Sequence, residues 1–143
     1  MIETKFLEGK VTRQSLPIMQ GAPGPDAPPL KRLLLPQGEL AQIYDADEAI
    51  RYLAFIELRP QTTRGNHYHN TKIEIIYVLE GDLELVVEDI RSKRRESTPL
   101  LPGDMAIIQT GVAHALNVLA TGKAIEFSPA RFNAADTHRY PLI

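Results

Sequence analysis

His67-Tyr68-His69, then Glu74 after four intervening residues, Gly81, and His114 further on supply three imidazoles and one carboxylate from a chain with only four histidines. Side chains on a β-strand alternate faces with period two, so an H-x-H pair on a strand presents both rings on one side. Glu74 lies inside the apolar run Ile73-Glu74-Ile75-Ile76-Tyr77-Val78-Leu79, where a buried carboxylate costs several kcal/mol unless positive charge meets it. Three neutral imidazoles and a carboxylate suit a divalent transition metal: one ion of Zn, Mn, Fe or Ni per chain, with His67, His69, Glu74 and His114 as ligands. Four protein ligands leave one or two positions open on a five- or six-coordinate ion. Substrate oxygens or water enter there, and the ion polarises a carbonyl or stabilises an enolate. On Fe(II) the same positions admit dioxygen. Ligand types alone do not choose the ion.

Short strands must position these residues. Helix signals are nearly absent, and apolar alternation recurs every eight to twelve residues, which predicts an all-β sandwich or barrel. The expected strands are Lys31–Leu35, Leu40–Tyr44, Tyr52–Leu58, Asn66–His69, Ile73–Leu79, Leu83–Glu88, Ser97–Leu101, Met105–Ile108, His114–Leu119 and Lys123–Phe127. Glu80-Gly81-Asp82, Pro102-Gly103-Asp104 and Thr121-Gly122 are turn signals between them. Pro17 to Pro29, with five prolines and two glycines, should be irregular and extended. Asp45 to Ala49 is expected to form a single helical turn.

Gly65-Asn66-His67-Tyr68-His69, Glu74 and Gly81 resemble the first motif of the cupin family, G-x5-H-x-H-x3-4-E-x6-G. Pro102-Gly103-Asp104, Gly111-Val112-Ala113-His114 and Asn117 resemble the second, G-x5-P-x-G-x2-H-x3-N. Gln61 stands where the first motif has glycine, Gln109 replaces a proline, and Asn117 comes one residue early. These departures fall in turns and leave the four ligands in place. The resemblance implies an all-β fold, a cupin-type double-stranded β-helix (jelly-roll barrel) with an N-terminal arm. Residues 1–30 would form the arm and Pro/Gly-rich linker, and residues 31–143 the cupin barrel.

Strand parity places Ile76 and Val78 on the face of Glu74, and Leu116 and Val118 on that of His114. The interior is expected to be mostly apolar, with Ile76, Val78 and Leu116 facing a small organic substrate. Arg64 can pair with a substrate carboxylate or phosphate, although it also reads as a solvated loop arginine. Arg91 to Arg95 reads as a solvated hairpin tip flanked by acids. His138 reads as exposed, and Tyr77, with the parity opposite to Glu74, as a packing or interface residue rather than a catalytic one.

A finer likeness joins residues 64–72, Glu74 and the tail Asp136-Thr137-His138-Arg139-Tyr140-Pro141 to cupin domains of bacterial surface-polysaccharide synthesis. It implies metal-assisted epimerisation or isomerisation of a 4-keto sugar nucleotide. Metal-free deoxysugar epimerases of the same fold use a His base with a Tyr acid, and no second inward His is visible for that role. The readings are a metal-dependent isomerase or epimerase on a small oxygenated substrate, an Fe(II) dioxygenase-type cupin, and a non-catalytic metal- and ligand-binding module. No single residue is assigned as the catalytic one.

A net charge of −2 gives no reason to expect nucleic acid or an anionic membrane as partner. There is no cysteine, so disulfides and thiolate metal sites are excluded. The first ten residues lack the apolar core of a signal peptide, and the expectation is a cytoplasmic protein. Ile2, Phe6, Leu7 and Val11 in the first fourteen residues suggest an arm that pairs with a neighbouring subunit's sheet, giving a homodimer.

Overall fold

Ile76 and Val78 before Gly81, and Leu83, Leu85 and Val87 after it, each set at alternate positions, lie on one long strand and are all at most 1% exposed. Burying each such side chain contributes about 1.5–3 kcal/mol, so this strand organises the fold. The computed structural model describes residues 1–143 and contains twelve strands. They are β1 (Ile2–Phe6), β2 (Val11–Ser15), β3 (Ile18–Gln20), β4 (Lys31–Leu35), β5 (Gly38–Gln42), β6 (Tyr52–Leu58), β7 (Thr62–Tyr68), β8 (Glu74–Asp89), β9 (Arg95–Leu100), β10 (Asp104–Ile108), β11 (Val112–Ser128) and β12 (His138–Arg139). Two single 3₁₀ turns, Leu7–Gly9 and Ala134–Asp136, complete the regular structure. No helix is long and apolar enough to cross a membrane.

Strands β8 and β11 pair antiparallel along most of their length and pass from one sheet into the other. The first half of β8 pairs with β10 and its second half with β9. The first half of β11 pairs with β7 and its second half with β6. Sixteen buried apolar residues, Ile76, Leu85, Leu116 and Val118 among them, fill the space between. The result is an all-β jelly roll whose sheets do not close. The strands expected at 73–79 and 83–88 are therefore one strand, and so are those at 114–119 and 123–127. The chain bends at Gly81 and Gly122, with register shifts between the facing strands, but it does not turn back. Glycine and bulges bend a strand without ending its pairing.

Other expectations shift. The arm does not leave the barrel: β1 and β2 form a hairpin, and β2 pairs with β10 of the same chain. Leu7 and Val11 join the main core, so residues within the first fourteen already have partners. Strand β5 begins two residues earlier than expected and ends at Gln42, and Asp45 to Ala49 is a bend without a helical turn. The proline-rich stretch is irregular except at Ile18–Gln20, which pairs parallel with β4. The small β3–β4–β5 sheet lies outside the barrel. Leu30, Ala41, Ile43 and Tyr44 pack there against a buried group of Leu16, Tyr77, Met105 and Phe127. Tyr77 is thus a packing residue, as its parity implied.

Candidate metal centre

Gly65 decides how the H-x-H strand meets His114. Its φ is +89°, and a Cβ there would lie 2.6 Å from the His114 carbonyl oxygen. The β7–β11 register shifts at this point: His114 faces His67 while Ala115 faces Gly65, so Asn66 is the extra residue of a bulge and has φ 58°. Bulges beside functional sites re-aim side chains. Here the bulge brings the His67 ring 4.8 Å, centroid to centroid, from both His69 and His114. Glu74, at the start of β8, completes the group, and the four ligand atoms lie within 4.8 Å of one another. Donors that share an ion at about 2.1 Å lie at most about 4.2 Å apart, so the widest pair would close by roughly an ångström on binding.

The imidazole orientations favour a cation. His69 Nδ1 lies 2.9 Å from the Asp136 carbonyl oxygen, and His114 Nδ1 lies 3.1 Å from that of Val112. A carbonyl only accepts, so each Nδ1 carries its ring's proton and Nε2 offers a lone pair. Both Nε2 atoms are buried and have no hydrogen-bond partner. They sit 3.4 Å and 3.1 Å from the two Glu74 carboxylate oxygens. Lone pairs facing carboxylate oxygens at that range need a positive charge between them, supplied by a metal ion or by protons on the rings. The residues fit a metal on both geometry and donor type.

Burial alone would raise the pKa of Glu74, yet the charge of His114 holds it well below the usual 4.5. Burial likewise disfavours charging His114, but the Glu74 carboxylate outweighs it and raises its pKa. His67 is pushed down to about 4, first by burial and then by the charge of His114. Its ring lines the cavity beside the other two.

That cavity holds about 370 Å³. Its walls include Tyr52, Ile56, Arg64, Leu116, Glu126 and Phe132 beside the four candidate ligands. Arg64 and Leu116, two of the residues expected to face a substrate, line this cavity. Ile76 and Val78 do not: they have the parity of Glu74 but lie further along β8, inside the core cluster. The interior is also less apolar than expected. Lys72, 6% exposed, reaches Glu126 at 2.8 Å and Glu74 at 3.8 Å, and its Nζ lies 4.3 Å from the centre of the Tyr52 ring. The signal for Lys72 was its place two residues before Glu74. Glu126 shows only as an acid in an apolar strand. Burial raises the Glu126 pKa, and the Glu74 charge adds to it.

The tail supports the same site. Asp136 accepts hydrogen bonds from the Asn70 amide (2.8 Å), the Thr71 amide (2.9 Å) and the Thr71 hydroxyl (2.6 Å). The Thr71 hydroxyl leads in holding its carboxyl below the usual aspartate range, burial opposes it, and the two amides help. His138 is half-buried rather than exposed, because β12 pairs with β7 and its ring stacks on Tyr68 at 5.0 Å. Arg91 to Arg95 lies at the β8–β9 turn, where Arg94 pairs with Glu8 and Arg95 with Glu88.

A barrel of two sheets with this histidine and glutamate cluster at one end defines a cupin. The cupin domain family profile matches residues 54–127, and the chain belongs to that family. No curated protein sequence matches it. Among solved structures it is similar to dTDP-6-deoxy-D-glucose-3,5-epimerase from Legionella pneumophila, solved with dTDP-4-keto-L-rhamnose. There the TM-score is 0.74 at 14% identity, covering 95% of this chain and 75% of that one. It is similar to dTDP-4-dehydrorhamnose 3,5-epimerase from Sulfolobus tokodaii, with TM-score 0.74, 17% identity, and coverage of 98% and 82%. It also resembles a 3,4-ketoisomerase from Helicobacter canadensis, with TM-score 0.67, 20% identity, and coverage of 77% and 86%. Likeness at these identities shows a shared fold.

Proposed function

We propose that this cupin is a metal-dependent isomerase or epimerase acting on a small oxygenated substrate of the sugar-derivative class, in the cytoplasm and as a homodimer. The observation that carries the reading is the pair of buried, partnerless Nε2 atoms of His69 and His114 aimed at Glu74. His67, His69, Glu74 and His114 would hold one divalent ion, which when bound supplies Lewis-acid polarisation of a substrate carbonyl. The chain's own residues do the rest. Arg64 at the mouth meets an anionic end of the substrate. Ile56 and Leu116 exclude water from the reacting carbon. Lys72 and Glu126 face the cavity as donor and acceptor for substrate oxygens. The solved epimerases and ketoisomerases of the same fold support this choice of reaction class.

Elemental analysis should find about one divalent metal per chain, and none in the His67→Ala/His114→Ala double variant. Proton NMR in D2O with a 4-keto-6-deoxy sugar nucleotide should show the hydrogen beside the carbonyl exchanging only with the metal-loaded protein. Full metal occupancy in the double variant would overturn the ligand assignment. One observation favours a second, metal-free reading: the 3.1 Å contact between His114 and Glu74 also suits a proton-transfer pair. Exchange that persists after complete chelation would select it. A metal-loaded protein that exchanges no proton is instead a dioxygenase, if it consumes oxygen with the substrate, or a binding module.

A further inference from the structure

Strand β6 pairs with β11 on one side and with no strand on the other. Its outward face carries Leu53 at 68% exposed and Phe55 at 60% exposed, flanked by exposed Arg51 and Glu57. A free edge with large apolar side chains and no charge in its middle is a template for pairing with another strand. Proteins that stay monomeric blunt such edges with lysine, proline or a bulge, and between Tyr52 and Leu58 there is none of these.

We infer that the free edge of β6 docks on the β6 edge of a second copy of this chain, antiparallel and centred on Ala54. A two-fold interface uses the same patch twice and must be self-complementary. Side chains directly opposite in an antiparallel pair share a face, which limits the registers. Centring on Ala54 sets Leu53 opposite Phe55 of the second copy and Arg51 opposite its Glu57, each pair occurring twice. Centring on Phe55 would set Arg51 against Arg59 and Leu53 against Glu57. That opposes two like charges and places an apolar side chain against a carboxylate. A slip of one residue would put the outward face of one strand against the inward face of the other. The charge pattern therefore selects one register and one occupant. Arg59 competes only weakly for Glu57, at 3.7 Å with both side chains exposed, and Arg51, exposed, is held only by the Pro129 carbonyl at 3.1 Å on the β11 side.

The pairing also reaches the cavity. Tyr52 and Ile56, on the inward face of β6, line it. In the Ala54-centred register Tyr52 faces Ile56 of the second copy, so the two cavities flank the two-fold axis. The inference rests on β6 alone and stands apart from the metal reading, because none of its residues is a candidate ligand.

The absence of cysteine makes the test direct. Facing Cα atoms in an antiparallel pair are about 4.5–5.5 Å apart, within disulfide range. Ala54→Cys in the full-length chain should therefore give a covalent dimer under mild oxidation, and Phe55→Cys should not. In sedimentation equilibrium the parent should be a dimer at micromolar concentration. Arg51→Glu or Glu57→Arg should each weaken the dissociation constant about tenfold through two opposed like charges, and the combined swap should restore it. These positions are exposed, or half-buried for Ala54, so thermal melts should stay close to the parent's. A monomeric parent, a dimer whose A54C thiol stays free, cross-linking by F55C, or a swap that fails to restore association would each overturn the proposal.

Discussion

At the N-terminus, the β1–β2 hairpin lies along β10 in backbone register from Val11 to Ser15 and inserts Leu7 and Val11 into the core. At the C-terminus, residues after Ser128 have one two-residue strand, and side chains tie them down. Asp136 holds the 70–71 loop. Asn66 accepts from the Leu142 amide at 2.8 Å, and its carbonyl accepts from the Tyr140 amide at 2.7 Å. The hairpin contributes ladder hydrogen bonds and apolar burial, and none of its side chains lines the histidine cavity. The tail contributes the carbonyl that orients His69. Backbone pairing stabilises wherever it is added, because every residue carries the same donor and acceptor. Orienting one imidazole requires one particular acceptor in one place.

The contrast is broken most strongly from the hairpin side. Leu7→Ala removes a buried core side chain and should cost roughly 2–5 kcal/mol of stability, read by urea unfolding, while metal stoichiometry stays at the parent value. Loss of metal without loss of stability would mean that the two ends are not distinct in role.

A smaller effect sharpens it from the tail. Asp136→Ala keeps the backbone carbonyl that meets His69 but frees the 70–71 loop that holds it in place, so metal affinity should weaken by roughly tenfold, the low end of what loss of ligand orientation costs. Its stability cost should be about 1–3 kcal/mol from the unpaired 70–71 donors. Competition against a chelator of known affinity measures the first and thermal melting the second. Unchanged metal affinity would reduce the tail to packing.

The smallest effect is electrostatic and belongs to the metal-free protein. The folded pKa of His67 lies at about 4, below the ordinary 6.5, so the unfolded chain takes its proton first and stability falls as pH drops from about 6.5 to 4. The raised pKa of His114 acts in the opposite sense: its contribution is complete below 6.5 and is lost as pH rises through the folded value. The apo-protein should show a shallow stability maximum near pH 6.5, shallow because His67 is only half-buried and water screens it. A monotonic rise through pH 8 would contradict this assignment of charges.

The four candidate ligands were legible in the sequence because their logic is local. H-x-H needs only strand alternation, and Glu74 stands out as an acid in an apolar run. Parity was right for Ile76 and Val78, but depth was not, since alternation says which face a side chain takes and not how far the cavity extends along it. The alternation of Ile2, Thr4 and Phe6 with Glu3 and Lys5 was a strand signal, read instead as an arm. Which sheet that strand joins is a matter of pairing, and sequence periodicity carries none of it. Lys72 and Glu126 lie 54 residues apart and meet only because β8 and β11 run side by side. Asp136 shows in the sequence only as part of a tail likeness, with no local signal that it meets Asn70 and Thr71.

From the chain alone followed the all-β class, the cupin resemblance and the four residues with metal-ligand chemistry, because side-chain type and a period of two are properties of neighbouring residues. Tertiary structure alone decided that the arm pairs within its own chain, that β8 and β11 cross between sheets unbroken, that a buried lysine and glutamate share the cavity, and that the tail orients His69. Each of these depends on contacts between residues far apart in sequence, and strand register and the direction of a fold back onto itself are set by the whole packed barrel.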